Sequence, residues 1–515
     1  MSQLERQNPL LPLMQDLENP KTRLDEYIGK WAGEKPNEIA AICNDISIDY
    51  KKLENQINKF ANYLYSIGLR DNDIIAVLIA PSIEFLIIFM ACSRLGLCWL
   101  GLNPKYTTSE MEYVIKDANP KLILAKKQIG KLDYKDLFAE IIQYQDKNNA
   151  GFEWLDGVFF DGFSENINFP KPINSIAALV YTSGTTGNPK AAKLSHKSLI
   201  NAAITRAKVW DIIPFRTINN VPINHVGALG DICCTSIIKG GCQVFLETFS
   251  AQETIKAIEK HKITYWYQAP TMFEMCLNEQ EKSNHDLSSL KAIIWSGGRA
   301  SQNLIDKMSK YAGLLAVDYS MTESVGPLSM TPLTKSSEMK EGTIGWPIPN
   351  RNIRLCDPVS NKISENEISG EVQIKDEFGF CGYRNLETGF SDDGWFKTGD
   401  LVDAAPNGEW ELVGRCKEMF KSGGYNIYPR EIEMALEKHS KINAAAVIEI
   451  PDEIFGEVGH AFIATFFDDL SEKEVIEYAR SMLANYKIPK KLTILKTLPM
   501  LPIGKVDKIA LRKLV

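Results

Sequence analysis

Short apolar runs alternate with amphipathic segments along roughly the first 350 residues, and this alternation restricts the fold more than any other feature of the chain. The run IIAVLIA (74–80) precedes a segment of helical periodicity that starts after Ser82. Further along, ITYWYQA leads directly into PTMFEMCL, where Pro270 stands at a helix start. Strands that alternate with helices are typical of parallel, doubly wound sheets. We therefore predict an α/β fold in which a ligand binds at the carboxyl ends of the strands.

The pattern changes after about residue 350, where shorter strands such as SGEVQIKD and NGEWELVG are separated by Gly and Asp turns. The last hundred residues or so have the pattern of a small α+β unit. In that unit Pro429 starts one helix, and Ser471 with Glu474 forms a capping box for another. A chain of 515 residues exceeds the ~250–300 residues at which a single core stops growing. We predict roughly three domain-sized units, with a boundary near 414–417.

Composition excludes several kinds of partner. The net charge of −7 and the lack of a run of lysine and arginine argue against nucleic-acid binding. The ten cysteines form no C-x-x-C pair and the six histidines show no metal-ligand spacing, so we expect reduced cysteines and no structural zinc. The most apolar region, 74–102, is interrupted by Pro81, Glu84 and Arg94, and MSQLERQNPL lacks the pattern of a signal peptide. We expect a cytoplasmic protein without a transmembrane segment.

The stretch YTSGTTGNPK (181–190) has the composition of a loop that binds phosphate. Its glycines let backbone N–H groups turn toward an anion, and its hydroxyl side chains are neutral donors. Lys190 adds a positive charge. The stretch is not a Walker loop, because Pro189 stands where the second glycine is needed and Ala191 replaces the hydroxyl residue after the lysine. Taken alone, it is also compatible with a polar turn between two strands.

Six stretches in one order resemble the adenylate-forming superfamily, which comprises acyl-CoA synthetases, carrier-protein-loading adenylation domains and beetle luciferases. After YTSGTTGNPK come PINHVGALG (222–230), DYSMTE (318–323), DGWFKTGD (393–400), GRCKEMFKSGGYNIYPREIE (414–433) and PIGKVDK (502–508). The resemblance implies that a carboxylic acid reacts with ATP to give an acyl-adenylate and pyrophosphate. A thiol, on CoA or on an acyl carrier protein, then takes the acyl group.

The resemblance also implies a division of the chain. Residues 1–413 would form an N-terminal adenylation domain of doubly wound sheets plus a distorted β-barrel. Residues 414–418 would be a hinge, and residues 419–515 a small mobile α+β domain.

Residues within these stretches are implied to bind ATP and Mg²⁺. Asp318 and Tyr319 would hold adenine, the ring of Tyr319 by stacking on the base. Thr322 would contact the α-phosphate, and Glu323 would ligate Mg²⁺, which prefers oxygen ligands. Asp400 would accept hydrogen bonds from both ribose hydroxyls. The remaining residues implied at the nucleotide and its metal are Thr182, Ser183, Gly184, Thr185, Thr186 (also a metal ligand), Gly187, Lys190, Gly297, Gly298, Ser320 and Arg415.

Other positions are implied to act in acyl transfer. Lys505 resembles the lysine that bridges the carboxylate and the α-phosphate during adenylation. His225 resembles the gate between the acyl pocket and the thiol tunnel. Lys417 resembles the hinge residue about which the C-terminal domain rotates. The rotation would bring Gly423, Gly424 and Tyr425 along a pantetheine channel.

Residues around His225 bear on the substrate. Amino-acid-activating relatives place an aspartate in this motif, whereas this chain has NHVG at 224–227, which favours an acid without an α-amino group. The small residues Gly227, Ala228, Gly230 and Gly326 favour room for a tail, as in a medium- or long-chain fatty acid or an aromatic acid. Arg299 would favour a polar or acidic tail if it pointed into the pocket; we expect it to point outward as a solvated charge.

Several functions share these motifs. The leading prediction is an AMP-forming acyl-CoA synthetase, and a free-standing enzyme that loads carrier-protein thiols is the nearest alternative. Luciferase-like oxidation and a non-catalytic nucleotide-binding protein are further alternatives. Retention of Glu323, Asp400 and Lys505 together favours catalysis, because binding alone would not require the lysine.

Overall fold

The computed structural model describes residues 8–14, 20–135, 151–155, 170, 172–173, 175–182, 189–358, 360–364, 368–386, 389–422, 425–500 and 506–515. The chain forms two compact units. The first consists of residues 1–341, 345–352 and 375–394, and the second of residues 342–344, 353–374 and 395–515.

Helices and strands alternate through the first unit as the sequence predicts. Its helices are Asp25–Glu34 (α1), Tyr50–Ser66 (α2), Ile83–Leu95 (α3), Thr108–Ala118 (α4), His196–Val209 (α5), Thr235–Lys239 (α6), Ala251–His261 (α7), Pro270–Ser283 (α8) and Gln302–Ser309 (α9). Its strands, together with β18 at its edge, are Ile39–Cys43 (β1), Ile46–Asp49 (β2), Ile74–Leu78 (β3), Cys98–Gly101 (β4), Leu122–Ala125 (β5), Gln128–Ile129 (β6), Leu132–Asp133 (β7), Gly151–Trp154 (β8), Ile176–Thr182 (β9), Lys190–Ser195 (β10), Arg216–Asn219 (β11), Cys242–Phe245 (β12), Tyr265–Gln268 (β13), Ala292–Ser296 (β14), Leu314–Ser320 (β15), Pro327–Met330 (β16), Thr334–Lys335 (β17) and Thr343–Pro347 (β18).

The larger sheet of this unit is parallel at its centre. Its strand order is β18-β16-β15-β14-β13-β11-β12-β1-β2, and β17 pairs with β15. The strands from β15 to β1 run parallel, while β16 and β2 are antiparallel to their inner neighbours. The carboxyl ends of β13, β14 and β15 therefore meet at one edge, where a doubly wound sheet binds its ligands.

A second sheet has the order β10-β9-β4-β3-β5-β8. Its inner strands are parallel, and β9 and β10 form an antiparallel pair at one edge.

The apolar helix α3 is buried almost completely. Every residue of α3 except Arg94 is buried, the Ser82 hydroxyl caps its first turn, and Gly96 ends it with φ +73°. These ends confirm the helix predicted after Ser82.

The second unit contains the strands Ile353–Cys356 (β19), Ser369–Ile374 (β20), Phe396–Ala404 (β21), Trp410–Arg415 (β22), Phe420–Ser422 (β23), Tyr425–Ile427 (β24), Ala444–Asp452 (β25), Gly456–Ala464 (β26) and Lys491–Leu495 (β27). Its helices are Pro429–Glu437 (α10), Glu472–Met482 (α11) and Lys508–Arg512 (α12). Strands β19 to β22 form an antiparallel sheet in the region for which the resemblance implies a distorted β-barrel. A second sheet, in the order β24-β23-β26-β25 with β27 beside β26, is the α+β part.

The predicted fold class, α/β with large sheets and a separate C-terminal unit, is confirmed by this architecture. One local detail differs. The Ser471 hydroxyl accepts a bond from the N–H of Glu474 at 3.2 Å. The predicted reciprocal bond is wrong, because the carboxylate of Glu474 pairs with Lys441 at 3.3 Å. None of the helices in the described part of the chain is both long and apolar enough to span a membrane.

Gly345 in β18 lies against the backbone of β16, and its φ is +79°. A Cβ at this position would lie 2.1 Å from the carbonyl carbon of Met330. We predict that Gly345→Ala lowers the free energy of unfolding by about 3 kcal/mol or more, because both the backbone angle and the contact are unfavourable. Urea unfolding monitored by circular dichroism measures the change. The matched control is Gly313→Ala, whose Cβ has no atom within 4 Å; equal midpoints for the two variants would contradict the prediction.

Candidate active site

The carboxyl end of β15 presents the residues of the DYSMTE motif. Asp318 and Tyr319 lie in the strand, and Thr322 and Glu323 follow in a single turn of 3₁₀-helix, Thr322–Ser324. Arg351 fixes this turn, since its Nη2 donates to the carbonyl of Ser324 at 3.1 Å. The motif therefore forms a rigid strand end rather than a mobile loop.

Tyr383 holds the predicted magnesium ligand in place. Its hydroxyl donates a 2.6 Å hydrogen bond to Oε1 of Glu323, and the N–H of Phe380 donates to the carbonyl of Glu323 at 2.9 Å. Burial, the negative charge of Glu323 and this bond raise the pKa of Tyr383, so the phenol keeps its proton as a donor. Sequence reasoning missed Tyr383, because its stretch FCGYR carries no recognisable motif.

The same tyrosine lies beside the base of the predicted phosphate loop. Tyr383 pairs as a β-bridge with Ala192 of β10, and Nζ of Lys190 lies 5.6 Å from its ring centroid. Lys190 pairs with Thr182 across β9 and β10, which closes the loop. The lysine, the tyrosine and Glu323 are thus brought together. Loop residues Ser183, Gly184, Thr185, Thr186 and Gly187 lie outside the described residues, so their contacts with phosphate stay predictions.

The surroundings of Glu323 fit a magnesium ion that is shared with a nucleotide. No group of three or more His, Cys, Asp or Glu side chains suited to a metal occurs in the described part of the chain. Mg²⁺ does not require one, because it is usually held by one or two carboxylates together with substrate phosphates and water. Glu323 is buried, and its Oε1 is fixed by Tyr383, which leaves Oε2 as the oxygen to face a cation.

His225 lies two positions before the start of a π-helix, Gly227–Cys234. Its Nδ1 accepts a 3.0 Å bond from the N–H of Gly227, so a neutral ring carries its proton on Nε2. The residue is exposed although its neighbours Val226 and Gly227 are buried. A π-helix is rare and is frequently found at functional sites. The geometry is compatible with the predicted gate, which stays a prediction.

A buried charged cluster lies beneath these two segments. Nε and Nη2 of Arg206, in α5, donate to Oδ2 of Asp318 at 3.0 and 2.8 Å. Nη2 also lies 2.8 Å from Oδ1 of Asp231, in the π-helix. The hydroxyl of Tyr267, at the end of β13, is 3.1 Å from a carboxylate oxygen of each aspartate. We call these four residues the Arg206 cluster; no pattern in the sequence predicted it.

The cluster bears on the predicted adenine contact. The side chain of Asp318 is fully buried and is bound by Arg206 and Tyr267, so its carboxylate faces the protein interior. An adenine contact by this residue would have to use its backbone. Tyr319 is 8% exposed, and the hydroxyl of Ser320 is 3.5 Å from that of Ser296. The roles of these residues at adenine stay predictions.

The loop after β14 differs from expectation at Arg299. Its side chain is 16% exposed, and Nη2 forms a 3.1 Å ion pair with Glu341, so the expected outward, solvated orientation is wrong. The neighbouring Gly297 has φ +76°, and a Cβ at Gly298 would lie 3.5 Å from Pro270. The loop is therefore a tight turn whose charge is already neutralised.

Close packing explains two of the small residues that the sequence assigned to a tail pocket. A Cβ on Gly326 would lie 2.4 Å from Cβ of Ala202, and one on Gly230 would lie 3.3 Å from Leu199, both in α5. Gly227 is also closely packed, since its Cβ would lie 3.0 Å from Nδ1 of His225 and 3.8 Å from Oδ2 of Asp231. Its nearest neighbour is a polar atom, whereas those of Gly326 and Gly230 are carbon atoms.

In the second unit, Asp400 and Arg415 pair across β21 and β22, with Nε of Arg415 2.5 Å from Oδ1 of Asp400. The two residues that the resemblance links to ribose are therefore neighbours, and their contact with a nucleotide stays a prediction. Lys417 lies in a 3₁₀ turn, Cys416–Glu418, inside this unit, and the boundaries 1–413, 414–418 and 419–515 also stay predictions. Gly423, Gly424 and Lys505 lie outside the described residues.

Comparison with known proteins agrees with this geometry. A family model described as AMP-binding enzyme matches residues 28–384, and one described as AMP-binding enzyme C-terminal domain matches 431–505. The chain is 26% identical to the mitochondrial medium-chain acyl-CoA ligase of Mus musculus, over 96% of this chain and 87% of that protein. It is 28% identical to the indoleacetate–CoA ligase of Aromatoleum aromaticum, over 96% and 98%.

Solved structures extend the agreement to the fold. ATP-bound MatB from Rhodopseudomonas palustris superposes with a TM-score of 0.82 at 27% identity, covering 99% of this chain and 98% of that one. The o-succinylbenzoate CoA synthetase of Bacillus subtilis, in complex with its acyl-adenylate, gives 0.80 at 25% identity over 96% and 99%. The chain therefore belongs to the AMP-binding enzymes, the adenylate-forming acyl-CoA synthetase family that its motifs resemble.

Proposed function

We propose that this chain uses ATP and Mg²⁺ to join a fatty or aromatic carboxylic acid to coenzyme A. The acid first displaces pyrophosphate from ATP to give an acyl-adenylate, and the thiol of CoA then displaces AMP to give a thioester. The observation that carries the proposal is the arrangement of Lys190, Tyr383 and Glu323, which joins the base of the phosphate loop to a fixed carboxylate.

In the first half-reaction the protein positions charge rather than forming a covalent bond. Lys190 and the loop that it closes would hold the departing phosphates, and Thr322 would contact the α-phosphate. When bound to Glu323, Mg²⁺ would neutralise charge on the phosphate oxygens. Tyr383 keeps the Glu323 carboxylate oriented for that cation. Lys505 would bridge the carboxylate and the α-phosphate, and its removal after adenylation would admit the thiol.

The names of the relatives support both the thiol acceptor and the class of acid. Relatives named as CoA ligases or CoA synthases act on feruloyl, indoleacetate, medium-chain and long-chain fatty acyl groups, which supports CoA and a fatty or aromatic acid. Cytoplasmic localisation stays a prediction from the sequence.

Pyrophosphate release across a panel of carboxylic acids, with and without CoA, tests the proposal. We predict that at least one fatty or aromatic acid releases pyrophosphate from ATP and Mg²⁺, and that CoA makes turnover continuous with AMP as product. Release of one pyrophosphate per enzyme, in an amount that CoA does not change, would instead indicate a carrier-protein thiol as the acceptor. Absence of pyrophosphate with every acid would contradict the proposed function as a whole.

Substitution of Lys505 separates the half-reactions. We predict that Lys505→Ala lowers the rate of adenylation about 10²-fold or more, because a charge at the reacting phosphate is lost. Transfer of the acyl group from preformed acyl-adenylate to CoA should stay mostly intact. Single-turnover measurements of each half-reaction provide the check, with the exposed Lys473→Ala as control. Loss of both half-reactions together would show that the assignment of Lys505 is wrong.

The variant Tyr383→Phe tests whether the tyrosine hydroxyl orients the carboxylate of Glu323. The variant keeps the ring that packs on Phe380 and removes the hydroxyl that orients the carboxylate. We predict about a tenfold rise in the Mg²⁺ concentration for half-maximal pyrophosphate release, as when an outer-shell bond to a ligand is removed. Tyr134→Phe is the control, since it removes a hydroxyl bonded to the carbonyl of Pro104 at 2.8 Å. An unchanged Mg²⁺ requirement would contradict the proposed role of Tyr383.

A further inference from the structure

The carboxylate of Asp117 lies between two functional segments of the first unit. Asp117 is the penultimate residue of α4, and it lies outside the six motif stretches. Its Oδ2 accepts a 2.6 Å hydrogen bond from the hydroxyl of Tyr181, and its Oδ1 accepts a 3.1 Å bond from Nδ2 of Asn385. Each oxygen of this carboxylate therefore binds a different part of the chain.

The first partner belongs to the predicted phosphate loop. Tyr181 is the first residue of YTSGTTGNPK, and it pairs with Ala191 beside the Thr182–Lys190 pair that closes the loop. Burial, the bond to Asp117 and the negative charge of that carboxylate raise the pKa of Tyr181, so the phenol keeps its proton as a donor. A hydrogen bond to a charged acceptor is stronger than one between neutral groups. Asp117 thus fixes the strand that leads into the loop.

The second partner follows the tyrosine that holds the predicted magnesium ligand. Asn385 comes two positions after Tyr383, and its φ of +58° lies in the left-handed region that asparagine tolerates. Nδ2 of Asn385 also donates to the backbone carbonyl of Asp117 at 3.1 Å, and Nε of Arg384 donates to the same carbonyl at 3.3 Å. The N–H of Arg384 donates to the carbonyl of Ala191 at 2.8 Å. The turn after Tyr383 is therefore bound both to the end of α4 and to β10.

The stability of α4 itself does not explain an aspartate at this position. The residue lies in the last turn of the helix, where the helix dipole disfavours a negative charge. The helix gains its terminal bonds through the backbone carbonyl of Asp117, which a residue with any side chain would provide. The carboxylate contributes something else, namely the connection between Tyr181 and Asn385.

We propose that Asp117 is a positioning residue for the binding of ATP and Mg²⁺. Through Tyr181 it holds the strand pair that carries Lys190, and through Asn385 it holds the turn that places Tyr383 against Glu323. The inference rests on the ATP-binding part of the proposed function and adds a residue that does not itself touch the nucleotide. Loss of the carboxylate should weaken binding of ATP with Mg²⁺ and leave binding of the acid nearly unchanged.

The variant Asp117→Ala tests the proposal through binding of the nucleotide alone. The full chain is titrated with ATP in excess Mg²⁺ and without acid, by isothermal titration calorimetry. Removal of an outer-shell partner weakens a metal site by about 10–100-fold, so we expect Kd to rise about tenfold or more. Glu112→Ala, which removes an exposed carboxylate from the same helix, is the matched control and should keep the wild-type Kd. A wild-type Kd in Asp117→Ala would overturn the inference.

Steady-state kinetics separate a positioning role from a general effect on the fold. With an acid that releases pyrophosphate, Asp117→Ala should raise KM for ATP about tenfold or more and change KM for the acid by less than about twofold. Asp117→Asn should restore most of the loss, because its amide oxygen can still accept the bond from the Tyr181 hydroxyl. Equal increases in both KM values, or an Asn variant no better than the Ala variant, would show that the assignment is wrong.

Two further variants keep the proposal testable if Asp117→Ala does not fold. Tyr181→Phe removes the hydroxyl bond, and Asn385→Gly removes the amide bond while glycine accepts the left-handed backbone. Each should raise Kd for ATP with Mg²⁺ several-fold, and a wild-type Kd in both would contradict the inference.

The inference and the proposed function fail separately. If the wild type binds ATP but releases no pyrophosphate with any acid, the proposed function fails, and the calorimetric comparison of the variants still decides the role of Asp117. If the wild type turns over and the variants bind ATP as it does, the inference fails and the proposed function stands. A wild type that binds no ATP in the presence of Mg²⁺ would overturn both.

Discussion

The Arg206 guanidinium is a positive charge without solvent contact, and three elements of the larger sheet and its covering layer meet at it. Removing one partner from such a pair costs several kcal/mol, since it leaves an uncompensated buried charge. The guanidinium binds Asp318 at the end of β15 and Asp231 in the π-helix, and Tyr267 joins the two carboxylates from β13. The positions of the strand end and of the π-helix therefore depend on one another.

A second set of contacts fixes the turn that follows the same strand. Tyr383 bonds Glu323 directly after β15 and pairs with Ala192 beside the phosphate loop. The predicted magnesium ligand and the base of the loop thus belong to one connected structure. In the proposed function these groups would already be in place when ATP binds, which is the condition for effective electrostatic stabilisation.

The fold was predictable because its signals are local. Alternating strand and helix patterns, Ser82 as a cap and Pro270 as a first helical residue each act within a few positions. The Arg206 cluster was not predictable, because its members are separated by up to 112 positions. Asp318 is an example. It lies in a motif linked to adenine, yet its carboxylate is bound in the interior by Arg206 and Tyr267. Tyr383 was not predicted from the sequence because its partner Glu323 is 60 positions away.

Charge is used in two different ways within this unit. Lys190 and Glu323 are the groups that we propose to face ATP and its cation, so each would become paired when that ligand binds. Arg206 and Asp318 pair with each other and need no ligand. Asp231 lies 2.8 Å from the same guanidinium, so the π-helix is tied to the end of β15 by charges that no ligand has to supply.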